Sequence, residues 1–298
     1  MEQLAIRTEN LSKHFDGVAA VDGLDLEVRR GEVYGFIGPN GAGKTTTIRM
    51  LLGLARPTRG KIEVLGSDPL TGGPEVRAKI GYVGEDQAMY SYMTVRGIMG
   101  FIAPMYPTWD QRLAGEIADV FHLPLTKRVG ELSKGMRSQL ALVLAMAPRP
   151  PLLVMDEPTG GLDPIARRDF LSTVMRSAVG PDQTVFMSSH ILSEVERVVD
   201  RVGIIVRGRL VTVRTIDELQ TVQKRIRVVF QGEPPAGLLQ QQGIVGVERE
   251  GHGYLITVED HLEEVMASLS SAPVFALDLL DMSLEEVLIH YAGGSRRG

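Results

Sequence analysis

The 298-residue chain has no cysteine. Disulfides and thiolate metal sites are thereby excluded, and the composition suits a reducing cytosolic compartment. No apolar run approaches a bilayer-spanning length, because Gly, Pro or charge interrupts every candidate. The start, Met1-Glu2-Gln3-Leu4, lacks the basic-then-apolar layout of a secretory signal. Positive charge is not in excess either: the net is −5, which disfavours a nucleic-acid partner. Aromatics make up only 5% of residues, with a single Trp, so any local concentration of them is informative.

Charge and length suggest two domains. Residues 217–298 carry 13 acidic against 6 basic residues, a net of −7, while the rest of the chain is +2. A boundary is therefore expected near 216, giving units 1–216 and 217–298. Such an acidic block repels nucleic acid and anionic lipid headgroups.

The most informative segment is Gly38-Pro39-Asn40-Gly41-Ala42-Gly43-Lys44-Thr45-Thr46. It fits the phosphate-cradling pattern G-x-x-x-x-G-K-[ST] and lies between a buried strand, Val33–Ile37, and an apolar-periodic helix. Gly41 and Gly43 let successive N–H groups point at phosphate oxygens, and the helix adds its positive end. Lys44 would reach the outer phosphates, and the Thr45 hydroxyl would ligate Mg²⁺. A nucleoside triphosphate is the implied ligand.

Around this loop strands alternate with helices, as in a mostly parallel sheet covered on both faces. Short strands are expected at Leu4–Thr8, Val18–Val21 and Leu24–Val28, with turns at Asp16-Gly17 and Asp22-Gly23. Residues 94–148 are helical, and further helices are expected at about 163–178 and 191–199. Beyond 217 the order strand, short helix (Leu238–Gln242), two strands, helix, strand matches a small ferredoxin-like unit. A last helix is expected from the capping box Ser283-Leu284-Glu285-Glu286.

Leu152–Met155 is a continuous apolar strand that ends in Asp156-Glu157, and strand carboxyl ends are where ligands sit in parallel sheets. Asp156 would hold Mg²⁺ through water, and Glu157 would face the attacking water as general base. Leu132-Ser133-Lys134-Gly135-Met136 opens an apolar helix; read alone, it is an ordinary helix N-cap. Gly161-Leu162-Asp163 and Ser188-Ser189-His190 complete an ordered set.

With these motifs in this order, roughly residues 4–215 resemble the ATP-binding subunit of an ABC transporter. The resemblance implies an α/β P-loop NTPase cassette: a RecA-like core, an antiparallel β subdomain and a helical subdomain at about 86–148. A small α+β C-terminal domain would follow. It implies that Phe15 stacks on adenine, although such an aromatic also suits a packed core. Ser133 and Gly135 would contact the γ-phosphate bound by a second ATP-binding subunit, a copy or a paralogue. His190 would sense the γ-phosphate, although a lone strand-end histidine is commonly structural, and Asp163 would link the two sites. Two departures stand out. The signature reads Ser133-Lys134-Gly135-Met136 instead of Ser-Gly-Gly-Gln, and Glu85 occupies the usual metal-ligating glutamine position, with Gln87 nearby. A carboxylate remains a good hard-metal ligand.

Residues 88–109 hold five of the sixteen aromatics, including Trp109, together with Met89, Met93, Met99 and Met105. Such residues suit a groove for another protein's helix, and they equally suit the core of a small helical unit. By resemblance, the segment near 85–109 would dock a transmembrane permease subunit. The chain would then be peripheral on the inner face of the cell membrane and power export. A second reading, a non-transport or regulatory ATPase whose ATP-dependent dimerisation gates a partner, remains open. An ATPase working on nucleic acid would be expected to carry paired cassettes or basic arms, and the sequence has neither.

Overall fold

The computed structural model describes residues 3–178, 183–191, 196–218 and 224–281. Internal contacts divide the chain into Met1–Val213 and Arg214–Gly298.

In the first unit, β1 (Leu4–Phe15), β2 (Val18–Arg29) and β4 (Arg59–Val64) form an antiparallel sheet in the order β2-β1-β4. Both long strands exceed expectation. Asp16-Gly17 is a hairpin turn, with φ of 46° and 84°. The Asp22-Gly23 pair does not turn the chain. Gly23, at φ 63°, sits inside β2 where the register with β1 shifts, so the ladder absorbs it as a bulge.

The central sheet runs β5-β6-β7-β3-β8-β9. It comprises β5 (Ile80–Val83), β6 (Leu152–Asp156), β7 (Thr184–Ser189), β3 (Val33–Ile37), β8 (Arg201–Val206) and β9 (Arg209–Thr215). Pairing is parallel from β5 to β8. β9 joins β8 through the two-residue turn Arg207-Gly208, both at positive φ. Every residue of β3, β6 and β7 is buried, as strands covered on both faces require. One apolar cluster links the two sheets through helix α1 (Lys44–Leu51), whose Ile48, Met50 and Leu51 pack with Leu26, Val64, Phe36 and Phe186.

Helix α2 (Gly73–Arg77) leads into β5. Between β5 and β6 lie α3 (Val95–Ile102), α4 (Gln111–Val120) and α5 (Lys134–Met146). Each has a side-chain N-cap: Thr94 accepts from Gly97 N–H, Asp110 from Leu113 N–H and Ser133 from Met136 N–H. Helix α6 (Pro164–Ala178) connects β6 to β7. The helix expected at 191–199 lies partly outside the described residues, and those described from 196 to 198 form a turn.

In the second unit, β10 (Lys224–Phe230), β11 (Ile244–Glu250), β12 (Gly253–Val258) and β13 (Val274–Asp281) make an antiparallel sheet in the order β11-β12-β10-β13. That is the strand order of a split βαββαβ unit. Helix α7 (Leu262–Ser270) covers one face with Val265 and Leu269 against Ile226, Val228 and Ile256. The short helix expected at Leu238–Gln242 is only a 3-10 turn, Leu238–Gln240. Pro234-Pro235 and the left-handed Gly237 leave too few residues for an α-helical nucleus. The helix expected from Ser283 lies outside the described residues.

Candidate functional site

The loop Gly38–Thr46 leaves the carboxyl end of β3, and its glycines are needed for different reasons. A Cβ on Gly38 would sit 2.2 Å from the Ile205 carbonyl oxygen of β8, and one on Gly43 would sit 2.4 Å from that of Ala20 on β2. Gly41 faces open space, but its φ of 79° favours glycine. The loop is thus pressed between two sheets, and α1 begins at Gly43 with φ 107°. The first-turn N–H groups of α1 have no intrahelical partner, and Lys44, Thr45 and Thr46 line a cavity of about 370 Å³. Asn40, Gly41, Gly43, Glu85, Glu157 and His190 share that lining.

Lys44 is almost wholly buried. Its ammonium donates to the Gly38 carbonyl at 2.7 Å and the Pro39 carbonyl at 3.3 Å. It also lies 3.1 Å from Glu157 Oε1, an ion pair without hydrogen-bond geometry. Glu157 follows the end of β6 in a left-handed conformation, φ 47°, which non-glycine residues occupy at a cost and chiefly at functional sites. Its other oxygen, Oε2, is 2.7 Å from His190 Nδ1 and accepts the His190 N–H at 3.3 Å. Glu157 is therefore held between the phosphate-loop lysine and the histidine that follows β7.

Asp156 is buried behind Glu157, and its Oδ1 accepts the Ser188 hydroxyl at 2.7 Å. Across the cleft, Glu85 lines the cavity, whereas the amide of Gln87 turns away and donates to Ser138 Oγ on α5 at 2.9 Å. Burial raises the Tyr82 hydroxyl pKa above its ordinary value, and the Asp156 carboxylate adds to the effect.

Several expected residues stand apart from this cavity. Gly38, Pro39 and Ala42 form the loop's rear, and Ala42 O accepts the Gly208 N–H at 2.9 Å. Phe15 is half exposed at the β1–β2 turn, with the Lys13 ammonium 4.9 Å from its ring centre. Ser133 caps α5, Gly135 packs toward Leu162, and Asp163 caps α6 through the N–H groups of Ile165 and Ala166. Ala20 and Gly160 also line the cavity without any sequence signal for a role, and Ser188, named only within Ser188-Ser189-His190, lies behind it. The only signal for Ser188 was two adjacent hydroxyl residues before His190.

Oxygen donors from Thr45, Glu85 and Glu157 line the cleft, together with His190 and the start of α1. That chemistry fits a triphosphate with a hard divalent cation, which would neutralise phosphate charge when bound. Thr45 and Glu85 line the cavity where such a cation would sit, whereas Asp156 lies buried outside the lining, so of the three expected ligands it would act from behind.

A parallel sheet with this loop, lysine and strand-end carboxylate pair defines a P-loop nucleoside triphosphatase. The profile of the ABC transporter family matches residues 21–160. The bacitracin transport ATP-binding protein BcrA of Bacillus licheniformis is 33% identical over 302 residues, covering 98% of this chain and 99% of that protein. The daunorubicin resistance ATP-binding protein DrrA3 of Streptomyces coeruleorubidus is 35% identical, covering 100% and 98%. Among solved structures, an ATP-binding subunit of an ABC transporter superposes with a TM-score of 0.66 at 29% identity, covering 72% of this chain and 92% of the other. The chain belongs to the ABC transporter family, as an ATP-binding protein and an ATPase.

Proposed function

We propose that this chain is the ATP-hydrolysing subunit of an exporter whose translocation pathway lies in a separate membrane protein. The observation that carries the reading is the clasp of Glu157 between Lys44 and His190. It places a carboxylate beside the phosphate loop with both oxygens oriented, as a general base for the attacking water requires. His190 would then sense the γ-phosphate through the same carboxylate. Lys44 would exchange its loop carbonyls for phosphate oxygens. Thr45, Asp156 and Glu85 are assigned to Mg²⁺.

Ser133 and Gly135 lie outside this chain's own cavity lining, which supports their use by a second subunit, a copy or a paralogue. In that arrangement two such subunits sandwich two ATP molecules head to tail, with Phe15 at the adenine. Closure on ATP and reopening after hydrolysis would drive the membrane partner. Among the described residues, no helix is long and apolar enough to cross a membrane. By likeness to ATP-binding proteins of transporters, the chain is assigned to the cytoplasmic face, bound through its partner near residues 85–109. Likeness to proteins named for bacitracin transport and daunorubicin resistance supports export of antibiotic-like compounds.

The test is Glu157→Gln. Turnover is expected to fall about 100-fold or more, with an ATP-bound dimer accumulating on gel filtration. A variant that hydrolyses ATP at the wild-type rate overturns the general-base assignment.

A further inference from the structure

We propose that Ser188 is a positioning residue for hydrolysis, setting Asp156 and Glu157 relative to each other; this rests on the general-base reading of Glu157. Ser188 lies near the end of β7, fully buried, with Asp156 of β6 and Phe36 of β3 as its registered neighbours. Its hydroxyl donates to Asp156 Oδ1 at 2.7 Å and accepts the Glu157 N–H at 3.0 Å. The direction of these bonds is fixed: a carboxylate only accepts, an N–H only donates, and the hydroxyl has one proton to give.

One oxygen atom thus bridges the side chain assigned to the metal and the backbone of the residue assigned to the water. The bridge also lies where the chain is strained. Glu157 is held at φ 47°, and its N–H in that conformation points at Ser188 Oγ. Two residues further on, His190 fixes the carboxylate itself through Oε2. The end of β7 therefore grips the end of β6 at three points: the Asp156 side chain, the Glu157 backbone and the Glu157 carboxylate. Without the Ser188 hydroxyl, Glu157 would keep its histidine contact while its backbone and the Asp156 carboxylate lost their shared reference.

The experiment compares Ser188→Ala, Ser188→Cys and Ser188→Thr in the full chain, with thermal melting to establish folding. A hydroxyl that positions the reacting groups should affect kcat and not KM for ATP. Ser188→Ala is expected to lower kcat roughly 10- to 100-fold, in line with small misplacements of catalytic groups. Affinity for a fluorescent ADP analogue should stay within about twofold at saturating Mg²⁺, while the Mg²⁺ needed for half-maximal binding rises. Ser188→Thr, which restores the hydroxyl, should recover kcat to within about threefold.

If Ser188→Ala does not fold, the near-isosteric Ser188→Cys supplies the same reading with a weak hydrogen-bonding atom. A folded Ala or Cys variant with wild-type kcat overturns the inference, as does a Thr variant as slow as Ala. The two readings fail separately. An inactive Glu157→Gln beside a fully active Ser188→Ala removes only the positioning role, whereas an active Glu157→Gln removes the general-base reading itself.

Discussion

The phosphate-loop cavity and the aromatic segment 88–109 treat their side chains in opposite ways. At the cavity, Lys44 and Glu157 are nearly buried and tied to one another, to loop carbonyls and to His190. Along the segment, Tyr92 is 67% exposed, Met105 58%, Tyr90 51% and Phe101 42%. The Tyr90 ring lies 5.8 Å from that of Tyr92 and edge-on to Phe101 at 5.7 Å. Nearby, Tyr82, Gln87, Met89, Ile102 and Tyr106 line a groove of about 340 Å³. The first region holds its geometry by contacts inside the chain. The second exposes apolar area in a protein otherwise poor in aromatics, and the proposed docking of a partner there rests on that contrast.

The largest effect should come from breaking the first region from behind. Gly38→Ala places a Cβ 2.2 Å from the Ile205 carbonyl oxygen, where neither backbone can yield without displacing the loop or β8. Overpacking of this kind costs about 1–3 kcal/mol, and a clash between two backbones belongs at the upper end. Denaturant melts should show that loss together with nucleotide affinity weakened by at least about tenfold, because the moved loop carries the phosphate-facing N–H groups. An alanine variant with unchanged stability and affinity would mean that the loop is not braced by β8.

Ser133 offers a subtler break, because two roles predict different outcomes for the same side chain. As the N-cap of α5 it accepts the Met136 N–H at 3.1 Å, and its replacement by Ala should cost about 1 kcal/mol. Asp caps as well as Ser, so Ser133→Asp should leave stability within about 0.5 kcal/mol. If Ser133 also faces a γ-phosphate bound by a second subunit, the new carboxylate repels that phosphate. ATP hydrolysis should then fall by at least about tenfold, as expected when a phosphate-facing hydroxyl is replaced by a like charge. Normal hydrolysis by Ser133→Asp would leave the residue a helix cap and nothing more.

The two regions also differ in what sequence could reveal. β3, β6 and the loop between β3 and α1 were legible because unbroken apolar runs and a fixed motif coincide there. Asp22-Gly23 misled because a glycine at positive φ serves a bulge as well as a turn, and only pairing with β1 distinguishes them. The length of β1 was hidden for the same reason: its burial alternates irregularly where the register shifts. Gly38 read as part of a phosphate cradle, whereas its demand for hydrogen comes from β8, more than 160 residues away. Ser188 was invisible as a bridge until the topology set β7 beside β6. For Met and aromatic residues between 88 and 109, periodicity fits burial or display equally. Only the accessible surface separates Met99, which is buried, from Met105, which is not.

That separation yields the smallest expected effect on the isolated chain and the sharpest contrast between the regions. Tyr92→Ser with Phe101→Ser removes two exposed rings that flank Tyr90, and exposed substitutions of this sort stay within about 0.5 kcal/mol each. Basal ATP hydrolysis should be unchanged, since neither residue lines the phosphate-loop cavity. Co-purification with a membrane fraction should be lost, because large aromatics carry a disproportionate share of interface energy. A double variant that melts early would show the rings to be structural. One that stays membrane-associated would move the docking surface elsewhere, with the groove beside Tyr82 and Tyr106 the next place to alter.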